Sequence, residues 1–316
     1  VKQSTRLGPL DSTTQGRLCV LAAALLWSSS GAIAKRPEVA SLDGPTIAVY
    51  RSLFAGLVLL PVIPLRKWVF VPAMIPAVVA FGIMVGLYLY AMMVTTAANA
   101  IFLQCSSSLW IVPLSALILH EPPDRRSLLG IAIAAPGILT ILFAGHGHSP
   151  REITGVAAGI ASGLAYAFVV IGLRGLRHLD SRWLAAINNL GGALVLAAGL
   201  YLLGGFRTHP NLLQVSILAA FGTFQMAIPY VLFARGLRFI GAAEAGLISL
   251  LEPILNPILV ALFIGEKPAP ATLVGGGFLL AGVLCRYFPF PDRATRHRAR
   301  LAGSSNPNER PGNAPD

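Results

Sequence analysis

Apolar runs of about 17 to 24 residues, joined by short polar connections, follow one another down the chain, and that is the length a helix needs to cross a hydrocarbon core of roughly 30 Å. They predict ten helices, at about residues 18–34, 46–64, 72–93, 98–119, 128–144, 153–173, 183–204, 211–234, 243–264 and 271–288. The runs lack the ten-residue alternation of a membrane barrel. Pro or Gly marks many of their boundaries. Residues 1–17 are polar, and from Pro289 onward Arg, Pro, Asn and Ser dominate, the composition of a solvated, disordered tail.

The pattern repeats. Shifted by 145 positions without a gap, Thr95–Leu139 falls on Ile240–Leu284 with twelve identities, among them Glu121/Glu266, Gly130/Gly275 and Gly137/Gly282. Ala and Leu recur cheaply in apolar sequence, but a Glu followed after nine residues by Gly and after seven more by Gly does not. Gly16–Ser28, shifted by 139, falls on Gly155–Ala167 and sets Trp27 over Tyr166. The first apolar run belongs to the duplication and is expected to be retained, although its polar, basic lead also describes a signal peptide. The predicted architecture is an all-α polytopic membrane protein with two five-helix repeats, 18–144 and 153–288. It is flanked by a segment at 1–17 and a basic tail at 289–316. An odd number of crossings per copy makes the repeats inverted, the arrangement that underlies alternating access.

Composition agrees with the pattern. Hydrophobic residues make up 55 % of the chain and charged residues 12 %, with a mean hydropathy of +0.71, where soluble domains carry about a quarter charged residues. The net charge of +11 would suggest nucleic acid in a soluble protein. Here the basic residues sit at the ends of apolar runs, so no nucleic-acid partner is expected. With both termini placed in the cytoplasm, eighteen Lys and Arg fall on that side, and only Lys35, Arg36, Arg151, Arg207 and Lys267 on the other. Cys19, Cys105 and Cys285 lie within apolar runs without metal-ligand or redox spacing and are assigned to packing. No metal and no cofactor is expected, and no phosphate-binding loop of an ATPase occurs.

Trp27 in an Ala/Leu/Ser-rich first helix, PTIAVYR at 45–51, TTAANA at 95–100, LLEPILNPILVALFIGE at 250–266, and Gly275 and Gly282 behind it together resemble the EamA-type transporters of the drug/metabolite transporter superfamily. The resemblance spans about residues 16–288. It implies ten helices in a five-plus-five inverted repeat, a bacterial inner-membrane location, and movement of small polar or amphipathic metabolites, often outward. The first repeat departs from the second, with Ser107-Ser108 where the second has Glu252-Pro253. Helix nine is therefore expected to carry more of the recognition than helix four.

The candidate substrate-binding residues are polar or aromatic groups at membrane depth. Glu252 lies near the middle of helix nine, where an ionisable group is costly and marks a pathway. Pro253 and Pro257 free the carbonyls of Ser249 and Pro253 beside the amide of Asn256. The alternative is a protonated acid hydrogen-bonded in a merely kinked span. Arg51 either binds an anionic substrate group through its planar fork or snorkels to outer headgroups. Trp27 and Tyr166 wall a cavity with one aromatic from each repeat, or simply pack. Asn188, Asn189, Gln225 and Tyr230 complete the set, with Tyr88, Tyr90, Asn99 and Gln104 as further polar groups in apolar runs. Glu121, Glu244 and Glu266 sit near helix ends and read as caps or surface pairs. Gly155, Gly159 and Gly163 at four-residue spacing predict a close helix contact, inside the fold or across a homodimer.

The favoured function is secondary transport of a small metabolite or drug-like solute by alternating access, as an exporter driven by a proton or ion gradient or by simple downhill flow. The alternatives are a passive channel, a membrane scaffold, or an intramembrane lipid-modifying enzyme. Against the enzyme, Asp residues are scattered and His146 and His148 share a loop with no third ligand nearby.

Overall fold

The computed structural model describes residues 11–118, 120, 125–144, 149–240 and 242–287. Glu121, His146, His148, Lys2, Arg6 and the tail from Pro289 lie outside the described residues. Among those described, the chain is helical throughout, in ten segments: α1 (Ser12–Ala34), α2 (Gly44–Val62), α3 (Met74–Val94), α4 (Ala97–Ile118), α5 (Arg125–Ala144), α6 (Pro150–Gly175), α7 (Ser181–Leu202), α8 (Leu212–Gly236), α9 (242–264) and α10 (Pro270–Tyr287). Seven of them are long and apolar enough by themselves to cross a membrane. Ser127–Phe143, Leu251–Ile264 and Pro270–Cys285 supply shorter apolar stretches in α5, α9 and α10.

Side-chain caps set several starting points. Asp43 Oδ1 accepts the amide of Thr46 at the head of α2, where Pro45 occupies the first turn and needs no partner. Thr96 Oγ1 accepts from Asn99 at the head of α4, and Ser149 Oγ from Glu152 at the head of α6. Asn211 and Gln214 close a reciprocal capping box on α8. Each removes an unpaired amide from a helix end at the membrane boundary.

The helix contacts have the symmetry that duplication demands. Exchanging each helix for the one five places on maps most of the packed pairs onto one another. Thus α3 packs on α6 as α8 packs on α1, α4 on α6 as α9 on α1, and α3 on α7 as α8 on α2. The pairs α2–α7, α4–α9 and α5–α10 are each their own image. Five crossings separate a helix from its copy, so the copy runs through the membrane in the opposite sense and the two repeats are inverted.

The matched glycines are what let the copies meet. A Cβ on Gly275 would lie 2.6 Å from the carbonyl oxygen of Gly137, and one on Gly282 would lie 2.5 Å from that of Gly130, so the α5 and α10 backbones touch at two places related by the repeat. Gly155, Gly159 and Gly163 press on Val94 and Thr95, on Leu103 and on Ser106. That spacing therefore serves contacts of α6 with α3 and α4 inside the chain.

Four membrane helices are interrupted. α1 is broken at Ser29, α4 at Ser106 and α9 at Leu250, and α8 widens into a π-helical turn over Phe221–Ala227. The cause in α1 is a run of serines. Ser28 Oγ donates to Ala24 O at 2.7 Å and Ser29 Oγ to Leu26 O at 2.6 Å, so side chains take carbonyls that the helix would use. In α8 the π turn sits just ahead of Pro229, whose ring would press on the carbonyl four residues back. The breaks in α4 and α9 fall within one residue of each other in the repeat register. Pro253 and Pro257 thus lie beyond the α9 break, and Pro257 is carried inside an intact helical turn.

Candidate functional site

The interruptions bring polar groups together where α1, α2, α8 and α9 converge. Arg51, eight residues into α2 and 3 % exposed, points into the bundle and does not snorkel to the surface. Its Nη1 donates to Gln225 Oε1 at 3.3 Å, and its Cζ lies 5.1 Å from the centre of the Phe221 ring. Gln225 and Phe221 both belong to the π turn. Gly222 between them is what permits the approach, because a Cβ there would lie 2.9 Å from Ala55 N and 3.0 Å from Phe54 Cβ and would also meet the Arg51 carbonyl. Gln225 Nε2 in turn donates to Trp27 O at 3.2 Å, two residues before the α1 break.

A second polar chain crosses from α9. Asn256, fully buried, donates through Nδ2 to Ser30 Oγ at 2.7 Å, and Ser30 Oγ lies 3.3 Å from Tyr88 Oη on α3. Glu252, half-buried on α9 four residues before Asn256, has its carboxylate in electrostatic reach of Arg51, Tyr88 and Tyr230. The Trp27 ring closes the cluster on one side, 5.5 Å from Tyr230 in a T-shaped contact and 5.4 Å from Phe233.

The cluster is under-satisfied. Arg51 Nε, Ser52 Oγ and Asn256 Oδ1 are buried without a hydrogen-bond partner among the described residues. Buried polar atoms are paired in the great majority of cases, so the unmet Arg51 Nε and Asn256 Oδ1 mark donor and acceptor capacity that a solute could use, as do Ser106 Oγ, Trp110 Nε1 and Asn189 Oδ1 elsewhere in the bundle. A guanidinium fork, a carboxylate, an amide oxygen, hydroxyls and aromatic faces can together grip a solute that carries both polar groups and an apolar or ring-bearing part.

Six of the nine residues named from the sequence meet here: Glu252, Asn256, Arg51, Trp27, Gln225 and Tyr230. Three do not. Tyr166 on α6 is 40 % exposed, while Trp27 packs on Tyr230 and Phe233 of α8. Asn188 and Asn189 are buried in α7, where Asn189 Nδ2 turns back to Ala185 O of its own helix at 2.9 Å. The sequence reading missed Ser30, Phe221 and Phe233. The triple serine at 28–30 was the available signal for the first, while the rings carried none, because aromatics abound in apolar runs.

A second assembly closes the end of the bundle that carries Lys35. Lys35 Nζ, at the end of α1, donates to Thr95 O at 3.0 Å and to Glu266 Oε2, and Glu266 Oε1 accepts the first amide of α4, Ala97 N, at 2.7 Å. Gly265, with φ +80°, ends α9 in the left-handed conformation and turns Glu266 back over α4. Both side chains are largely withdrawn from solvent, 12 % and 22 % exposed. At the opposite end α1 and α9 are joined by Arg17 and Glu244 at 2.6 Å, a pair 57 % and 38 % exposed and correspondingly weak.

An all-helical bundle of inverted repeats with apolar helices of membrane-spanning length is the architecture of a polytopic membrane transporter. Comparison with known proteins gives the family. The sequence matches the EamA-like transporter family over residues 14–143 and 153–288, and the chain belongs to that family. It is 29 % identical over 318 residues to the uncharacterized inner membrane transporter YicL of Salmonella typhimurium, covering 93 % of this chain and all of that one. An uncharacterized transporter of Archaeoglobus fulgidus is 29 % identical over 202 residues, 63 % of this chain and 70 % of the relative. A solved crystal structure shares the fold with a TM-score of 0.62 at 17 % identity, over 86 % of this chain and 97 % of that one. The protein is thus a bacterial-type membrane transporter.

Proposed function

We propose that the protein is a secondary transporter that exports a small amphipathic or charged metabolite by alternating access, from an inner membrane with both termini in the cytoplasm. The observation that carries this is the buried Arg51, tied by one long hydrogen bond and with Nε unpaired, sharing its electrostatic environment with Glu252. A purely structural charge pair inside a membrane bundle would be fully hydrogen-bonded, because each unmet bond there is costly. A substrate completes this set as it binds. The symmetry of the helix contacts supports the movement, since each repeat can take up the other's conformation. The Lys35–Glu266–Ala97 assembly supports a resting state closed toward the outside.

In this reading Arg51 and Asn256 orient the polar groups of the solute, Trp27 and Tyr230 cover its apolar part, and Glu252 exchanges a proton in each cycle. Purified protein in liposomes tests it. A carrier exchanges labelled for unlabelled solute across the membrane, whereas a pore shows no such trans-stimulation. Glu252→Gln should abolish uptake driven by a pH gradient while leaving exchange in place; retained gradient-driven uptake with an unchanged pH profile would rule out coupling through Glu252.

A further inference from the structure

A concave site lies apart from the polar cluster, where α7 begins and α8 ends. It is a cleft of about 370 Å³, within the range of roughly 300–1,000 Å³ typical of small-ligand sites. From α7 come Ser181 and Arg182. From α8, four residues apart, come Val231 and Arg235, and from the turn just beyond its end come Arg238 and Phe239.

The charges in this cleft do not cancel. Arg182 folds back on the residue that caps its own helix, with Nε on Asp180 Oδ1 at 3.1 Å and Nη2 on Oδ2 at 3.0 Å. Asp180 is thereby committed on both oxygens, and the Arg182 hydrogen bonds hold its carboxyl below the usual range. Arg235 and Arg238 have no ion-pair or side-chain hydrogen-bond partner among the described residues, although both line the same cavity. The positive end of the α7 dipole faces the same space. Val231 and Phe239 make part of the lining apolar. The cleft sits at the ends of two membrane-crossing helices, hence at headgroup depth, and on the side that the Lys and Arg count assigns to the cytoplasm.

We propose that this cleft is a binding site for the phosphate of an anionic phospholipid, with the forks of Arg235 and Arg238 on the phosphate oxygens and Val231 and Phe239 against the glycerol and upper acyl carbons. Arginine matches phosphate geometry in a bidentate way that lysine does not. The site is independent of the transport reading and would stand if that reading failed.

The test is lipid retention by the full-length protein in detergent, measured by native mass spectrometry with added phosphatidylglycerol or phosphatidylcholine, with inorganic phosphate alone as a third arm. Phosphatidylglycerol should be retained in preference to phosphatidylcholine. Each arginine removed should weaken retention about fivefold, so Arg235→Gln with Arg238→Gln should cost about 25-fold. The double Lys variant should fall between, because it keeps the charge and loses the fork. Arg207→Gln, which removes an exposed charge from the opposite end of α7, should change nothing; it also shows whether diffuse charge is responsible. Equal retention of the two lipids, or equal losses in the Arg207 and Arg235/Arg238 variants, would overturn the site. Stabilisation by inorganic phosphate as large as that by phosphatidylglycerol would overturn the lipid assignment in favour of a soluble phosphate ester.

Discussion

Replacing Glu266 by Gln should unlatch one end of the bundle. The substitution keeps the side-chain length and an oxygen for the Ala97 amide but removes the negative charge from two donors, Lys35 Nζ and Ala97 N. Two unit charges about 4 Å apart attract by roughly 4 kcal/mol at an effective dielectric constant near 20. Desolvation of a pair only 12 % and 22 % exposed takes back part of that. Hydrogen bonds to charged groups contribute a net ~1.5–3 kcal/mol, so loss of the charge should shift the balance toward the open state by about 2 kcal/mol, or about thirtyfold. The reporter is Ala98→Cys, 2 % exposed and one residue beyond the capped amide, in a chain whose three native cysteines are replaced. A membrane-impermeant maleimide added on the Lys35 side should label it about thirtyfold faster in Glu266→Gln than in the parent. A double-mutant cycle between Lys35→Ala and Glu266→Ala should return a coupling of similar size. Equal labelling rates in folded protein, together with zero coupling, would refute the latch and leave the contact as a surface cap.

Three further outcomes are expected. Gly222→Ala should drive a methyl group into the α2 backbone beside Arg51; it should cost about 1–3 kcal/mol, read as a lower thermal unfolding midpoint, with solute affinity falling as Gln225 is displaced. Thr272→Val removes the hydroxyl that donates to Asn99 Oδ1 at 2.7 Å between α10 and α4; its cost should be only about 0.6 kcal/mol, the average for such bonds in membrane bundles, with transport unchanged. Asp180, whose carboxyl is held below its ordinary range by hydrogen bonds from Arg182, contributes stability that is complete above its unfolded value of about 3.9 and is lost as pH falls through the lower folded value. The difference in unfolding midpoint between the parent and Asp180→Asn should therefore be constant near neutrality and shrink below about pH 4.

Much of the architecture was legible because the bilayer imposes it on the sequence. A helix that crosses hydrocarbon must be long and apolar, so ten runs announced ten helices. A duplication read at two registers, 139 and 145, announced the inversion once five helices per copy were counted. Glu252, Arg51 and Asn256 stood out for the same reason, since a polar group at that depth needs a cause. The tertiary structure decided which of these groups share a site. Trp27 and Tyr166 occupy matching positions, yet the Trp27 ring packs on Tyr230 and Phe233 beside the serine break in α1, while Tyr166 stands 40 % exposed on α6, which runs unbroken from Pro150 to Gly175. Gln225 reaches Arg51 because a π turn rotates it and Gly222 lets two backbones close up, neither of which leaves a mark in an apolar run. Glu266 read as a surface cap and became one corner of a three-helix latch, since Gly265 turns it over the head of a helix 169 positions away in the chain. Depth and repeat are properties of the chain read along its length; partnership is a property of distance in space, and only the packed bundle sets that.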